Sequence, residues 1–307
     1  MSDLKPIEFD NCVSFLIENG AYQGRLIRLN QVVNTILGKH CYPKPVAAVV
    51  AECTVLGALL ASQLKYNGLF TLQIQSNGVI NLVVVDVTSD GKIRACARYD
   101  EERLKKSQEL RKTTGEIEAA PHLLGGGHLV FTVDQGENTE LYQGIVDLQG
   151  KNLTECALRY FKQSEQIDTD LKLFLHTPEG ESSSWLTGGI MLQKMPTIST
   201  DISAEEQTEI WNEAKIFMQS LNENEIFDAE LSSEEILNRL FHSNKLQISN
   251  LRSYQFGCRC SKDKLLNTLQ SFSAEDIEAM IEENKITATC NFCNEKYVFT
   301  PGEVRKQ

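Results

Sequence analysis

The sequence predicts an α+β protein. It reads as an antiparallel-sheet core domain with packed helices, a metastable amphipathic helical linker, and a small C-terminal domain built on four cysteines. Three observations carry this reading: short alternating apolar runs joined by Asn-Gly and Asp-Gly turns, a strongly acidic stretch with helical apolar stripes, and two closely spaced cysteine pairs near the end of the chain. With 307 residues, 41% of them hydrophobic and only 7 prolines, the chain can bury a sizeable core and divides into more than one unit.

The first strong signal is "PVAAVVAECTVLGALLAS" at 45–62. Its apolar run from Val46 to Ala61 is 16 residues long and is interrupted by Glu52, short of the roughly 20 needed to cross a bilayer. It is expected to be a buried core helix whose Ala and Gly positions permit close packing. From Leu69 onward "LFTLQIQ", "VINLVVVDV" and "KIRACARYD" read as strands of a meander, with Asn77-Gly78 and Asp90-Gly91 supplying positive-φ turn positions. A second hairpin is expected over 128–148, where Leu129, Phe131 and Val133 alternate and the turn falls at 135–138. A helix follows at 153–166, with Thr154 as a candidate cap, and then the strand-like "LKLFLHT" and "GGIMLQKMP".

After Pro196 the composition shifts. Residues 203–250 hold ten carboxylates against three basic side chains, more than half of the chain's net charge of -12. Ile210, Ala214, Phe217 and Leu221, with Trp211 and Met218 beside them, form one apolar stripe; Ile236, Leu237, Leu240 and Phe241 form another. Ser203 with Glu206, and Ser232 with Glu235, match the capping box that starts a helix. Two short helices are expected, with mutually repulsive polar faces, held in place by apolar contact with a neighbouring domain; the alternative that the pattern alone favours is an ordinary helical subdomain with solvated acidic faces. Melting would expose Trp211, Phe217, Met218, Leu221, Ile236, Leu240 and Phe241 as an apolar surface.

The last 50 or so residues are too few for a large core and need a staple. "FGCRCSKDK" and "TCNFCNEKYVF" supply Cys258, Cys260, Cys290 and Cys293, the four thiolates that tetrahedral Zn2+ favours. Between them two helices are expected, the second capped by Ser273, and Asn294 can adopt the left-handed turn of a metal knuckle. A one-residue and a two-residue gap can each close as a local, strained disulfide that is readily reduced again. Oxidation would release the metal and the folding free energy that the metal supplies, and the marginal acidic helices would melt next.

These segments, together with "LGALLASQLKYNGLFTLQIQSNG" (56–78), "NLVVVDVTSDGKIRACARYD" (81–100), "TELYQGIVDL" (139–148), "LRYFKQSEQI" (158–167) and "GGIMLQKMP" (188–196), resemble the heat shock protein 33 family over nearly the full chain. The resemblance implies an α+β core over 1–200, a redox-responsive acidic linker over 201–254 and a zinc-binding redox-switch domain over 255–307. It implies ATP-independent holdase activity, in which unfolding client proteins are bound under oxidative stress and kept from aggregating. Zinc release, disulfide formation at Cys258, Cys260, Cys290 and Cys293, and commonly dimerisation would accompany activation. The sequence departs from the family at Asn294, where glycine is usual, and at Gly126, where a basic residue is frequent.

Other classes are disfavoured. The acidic balance offers no footprint for nucleic acid or an anionic membrane. Gly125-Gly126-Gly127 lacks the Lys-Ser/Thr of a phosphate loop, the five histidines fall in no metal-ligating arrangement, and no catalytic nucleophile is visible, so no enzymatic activity is expected. Cys12, Cys41, Cys53, Cys96 and Cys156 have no ligand spacing and read as small hydrophobes. The start, "MSDLKPIEFDNC", has no basic region followed by an apolar run, which points to the reducing cytosol. The rival reading is a constitutive zinc-ribbon adaptor that binds a protein partner through its C-terminal module.

Overall fold

The computed structural model describes residues 9–114, 120–136, 139–150, 152–180, 183–196 and 203–305. Strands β1 (Asn11–Ile17) and β2 (Tyr22–Leu29) open the chain, followed by helices α1 (Gln31–Gly38) and α2 (Lys44–Ala61). Strands β3 (Leu69–Ser76), β4 (Ile80–Thr88) and β5 (Lys92–Tyr99) form the expected meander. Helices α3 (Glu101–Thr114) and α4 (Ala120–Leu124) lead to the hairpin of β6 (Gly127–Asp134) and β7 (Tyr142–Asp147), of whose expected turn residues 137–138 lie outside the described residues. Helix α5 (Leu153–Tyr160), a π-helical turn, β8 (Thr169–His176) and β9 (Leu186–Lys194) complete the core.

Two sheets enclose α2. One has the order β10-β1-β2-β9-β8, where β10 is Gln247–Ser253; the other runs β11-β5-β4-β3-β6-β7, where β11 is Gln255–Phe256 and pairs parallel with β5. The 45–62 run packs against both sheets, and residues from Val46 to Ala61 are buried on nearly every side, as an all-round apolar helix must be. The strands β1, β2 and β9 at the centre of the five-stranded sheet are buried on both faces. Cys12, Ile27, Leu29 and Met191 turn toward α2, whereas Val13, Phe15, Ile17, Tyr22, Leu26, Ile190 and Leu192 turn the other way, as the two-residue period of a strand requires.

That second face is covered by the acidic segment. It folds as three helices where two were expected: α6 (Ala204–Ser220), a single turn α7 (Glu223–Ile226) and α8 (Ser233–Phe241). The extra turn carries its own capping box between Asn222 and Glu225, with the Asn222 side chain accepting from the Glu225 N–H at 3.2 Å. Ser232 forms the expected capping box with Glu235, and Ser203 caps α6 by accepting from the Glu206 N–H. Beyond α8 the chain re-enters the sheet as β10, an edge strand paired antiparallel with β1.

Two local expectations change. The cap of α5 is Asn152, whose side chain accepts from Glu155 N–H at 2.8 Å, in place of Thr154, which falls inside the helix. Gly91 has the expected positive φ of 86°, but Gly78 does not adopt a positive φ; it is required because a Cβ there would lie 2.2 Å from the Leu124 carbonyl oxygen.

The C-terminal module consists of α9 (Lys262–Leu269), α10 (Ala274–Ala279), the hairpin of β12 (Ile286–Thr289) and β13 (Lys296–Phe299), and α11 (Pro301–Val304). Its buried apolar centre is Leu269, Ile277, Ile286, Phe299 and Val304, so small a cluster that a cross-link is needed to hold it.

Candidate metal centre and the segments tied to it

Cys258 and Cys260 occupy the loop between β11 and α9, and Cys290 and Cys293 the turn between β12 and β13. The first loop is set by Gly257 N–H, which donates to Ile93 O at 3.0 Å and prolongs the pairing with β5, and by Ser261, which caps α9. The second is a closed knuckle. Asn294 N–H donates to Cys290 O and Cys290 N–H to Glu295 O, both at 2.9 Å, while Asn294 takes the expected left-handed conformation at φ 57°.

These turns bring all four sulfurs within 4.8 Å of one another. Cys258 Sγ lies 3.4 Å from Cys260 Sγ and 3.7 Å from Cys290 Sγ, and Cys260 Sγ lies 3.4 Å from Cys293 Sγ. A tetrahedral ion with metal–sulfur bonds of about 2.3 Å needs sulfur–sulfur edges of roughly 3.8 Å, whereas a disulfide needs about 2.05 Å. The four thiols are unlinked and their spacing fits a tetrahedral ion.

The charge balance leads to the same fit. Burial opposes ionisation of Cys258, but the Cys260 N–H and the Arg94 guanidinium, which donate to its sulfur, and the hydrogen-bonded sulfurs beside it bring its thiol down to about 7. Cys260 and Cys293 are pushed the other way, first by burial and then by neighbouring sulfurs. One thiolate forms readily and further ones repel it, a conflict that a bound divalent cation removes.

The candidate client-binding residues are brought together elsewhere. Trp211, Met218, Leu221, Ile236, Leu240 and Phe241 are buried, and Phe217 is half-buried, all against the outer face of the five-stranded sheet. Phe241 stacks on Phe15 with centroids 5.4 Å apart and Trp211 on Tyr22 at 5.5 Å, while Tyr22 Oη donates to Gln207 O at 2.7 Å. Two cations that sequence reasoning missed also hold this segment. Arg28 donates to the carbonyls of Leu231 and Asp228, each at 2.6 Å, and Lys172 Nζ donates to those of Gln219 and Leu221 at 2.6 and 2.7 Å, where α6 ends. The sulfur cluster connects to this segment through β11 and β10 alone in chain order.

The family model described as "Hsp33 protein" matches residues 10–300. The chain belongs to the Hsp33 family. Among Hsp33 relatives, the 33 kDa chaperonin of Caulobacter vibrioides is 34% identical over 306 residues, covering 98% of this chain and 99% of that protein. The 33 kDa chaperonin of Pseudomonas putida is 31% identical over 306 residues, covering 99% and 94%. The solved structure of the 33 kDa chaperonin (heat shock protein 33 homolog) of Thermotoga maritima aligns with a TM-score of 0.78 at 20% identity, covering 97% of both chains, and shares the fold. The protein is thus an Hsp33-type chaperone, and its cysteine cluster suits the zinc and disulfide chemistry expected of it.

Proposed function

We propose that this chain is a redox-regulated, ATP-independent holdase of the cytosol that captures unfolding proteins under oxidative stress. The observation that carries this reading is the pairing of an unlinked four-thiol cluster with an apolar helical face that is largely covered in the same state. Cys258, Cys260, Cys290 and Cys293 would hold one Zn2+, which when bound supplies the cross-link that the five-residue apolar centre of the module lacks.

Peroxide then acts on the thiols. Each cysteine pair, as two thiolates, gives up two electrons and forms one S–S bond, and with two protons from solvent one peroxide is reduced to two waters. The disulfides cannot serve as thiolate ligands, so the module loses its cross-link. Residues 255–307 act as the switch, residues 201–254 as the responsive linker, and residues 1–200 as the stable core. Loosening of β11 and β10, the latter an edge strand whose residues are mostly exposed, frees the helices from the sheet. Trp211, Phe217, Met218, Leu221, Ile236, Leu240 and Phe241 would then meet unfolding clients through non-directional apolar burial, and the same exposed surface favours a homodimer of oxidised chains.

The test is the aggregation of a heat-unfolding client protein, followed by light scattering. Peroxide-treated protein is expected to suppress aggregation, and dithiothreitol with zinc to abolish the suppression. Equal suppression by reduced and oxidised protein would instead support a constitutive binding module.

A further inference from the structure

We propose that Arg94 is a positioning residue that latches the cysteine module onto the core sheet, and that oxidation of Cys258 weakens this latch directly. The proposal rests on the switch reading above and adds a contact by which the core senses the state of the sulfur.

Arg94 lies on β5 with its side chain largely buried, and every part of its guanidinium is engaged. Nε and Nη2 donate to Asp86 Oδ2 at 2.8 and 2.6 Å, Nη1 donates to Cys258 Sγ at 3.7 Å, and the planar face lies 3.8 Å from the centroid of the Phe292 ring. Phe292 stands between Cys290 and Cys293, so one core side chain touches both cysteine-bearing loops, the first at Cys258 and the second at Phe292. Asp86, on β4, also accepts from Thr71 Oγ1 at 2.7 Å and from Arg259 Nη2 at 3.2 Å; Arg259 stands between Cys258 and Cys260. The junction is completed by His40, whose Nε2 is 3.2 Å from Phe292 O, and by the Asn294 side-chain amide, which donates to Lys39 O.

The charges explain why the latch would respond to oxidation. With Cys258 as a thiolate, Asp86 and the sulfur offset the largely buried Arg94 and the partly exposed Arg259, two anions against two cations. When Cys258 forms a disulfide with Cys260, two thiolates, one peroxide and two protons become one S–S bond and two waters, and the sulfur facing Nη1 becomes neutral. Two guanidiniums then share one carboxylate, and the unbalanced positive charge, centred on the largely buried Arg94, favours departure of the module from β5. Lysine cannot replace arginine here, because the contact uses the planar fork and face together.

The test is hydrogen exchange on the full-length, reduced, zinc-treated chain, read at the Gly257 N–H that bonds to Ile93 O. In the wild type, peroxide is expected to lower protection at this amide; in Arg94→Gln, protection is expected to be lower by about tenfold before any peroxide is added, with little further loss on oxidation. Amides of β3 and β4 should be unchanged. Wild-type protection in the reduced Arg94→Gln chain would overturn the latch. If Arg94→Gln disrupts the core, Arg259→Gln applies the same readout from the more exposed module side, and undiminished Gly257 protection there also overturns it. A wild-type chain that loses Gly257 protection on oxidation yet captures no client supports the latch and sinks the holdase reading, so the two fail separately.

Discussion

Arg28 shows how a single residue can hold a conditional element. Its side chain is fully buried on β2, its guanidinium lies 4.2 Å from the Phe9 ring centroid, and it satisfies two carbonyls of the linker. Burial lowers its pKa to about 10, still high enough to keep it charged at neutral pH. Arg28→Met is expected to leave those carbonyls unpaired and to cost the linker about 2–4 kcal/mol, read as increased binding of an apolar dye to the reduced protein. Glu52 acts in the opposite sense. Burial inside α2 pushes its carboxyl up to about 7 from an ordinary value of 4.5. Below pH 4.5 both folded and unfolded chains hold the proton and burial carries no charge penalty; the penalty grows as pH rises and is complete above about 7. Glu52→Gln is therefore expected to stabilise the core on the order of 2–3 kcal/mol at pH 8 and hardly at all at pH 4, measured by denaturant unfolding at both values.

At the scale of elements, α6 and α8 owe their place to the sheet beneath them. Glu205, Glu209 and Glu213 stand one turn apart along α6, where like charges repel, and Lys215 is the only cation on that helix. Apolar packing must outweigh this repulsion. Phe241→Ala, which removes a fully buried ring from its stack on Phe15, is expected to cost about 3–5 kcal/mol and to lower the temperature at which the reduced protein begins to capture clients. These helices were legible in the sequence because their stripes and caps are local. So were the β3–β4–β5 meander, whose turn residues mark it, and the cysteine cluster, whose spacing alone suggests its ligands. The strands β1, β2 and β10 were not identified. "QISNLRS" has mostly exposed residues and becomes a strand only by pairing with β1, and β1 needs partners from both ends of the chain. Arg28, Lys172 and Arg94 were missed for the same reason: an isolated basic residue in a strand gives no signal until the fold supplies its acceptors.

For the whole molecule, three layers share one path. The β4–β5 edge holds the cysteine module through β11, Asp86 and Arg94; β10 joins that module to the helices; and the helices cover the sheet face built by β1, β2 and β9. In the proposed switch, a change at the sulfurs would reach the apolar face by releasing successive contacts, without any rearrangement of α2 or the meander. The most direct test is hydrogen exchange over Ala204–Phe241, compared with the amides of β3–β5, in reduced and peroxide-treated protein while client capture is followed in the same samples. The switch predicts that oxidation removes protection from α6 and α8 in step with capture and leaves the meander protected. Capture that rises while both helices keep their protection would contradict it.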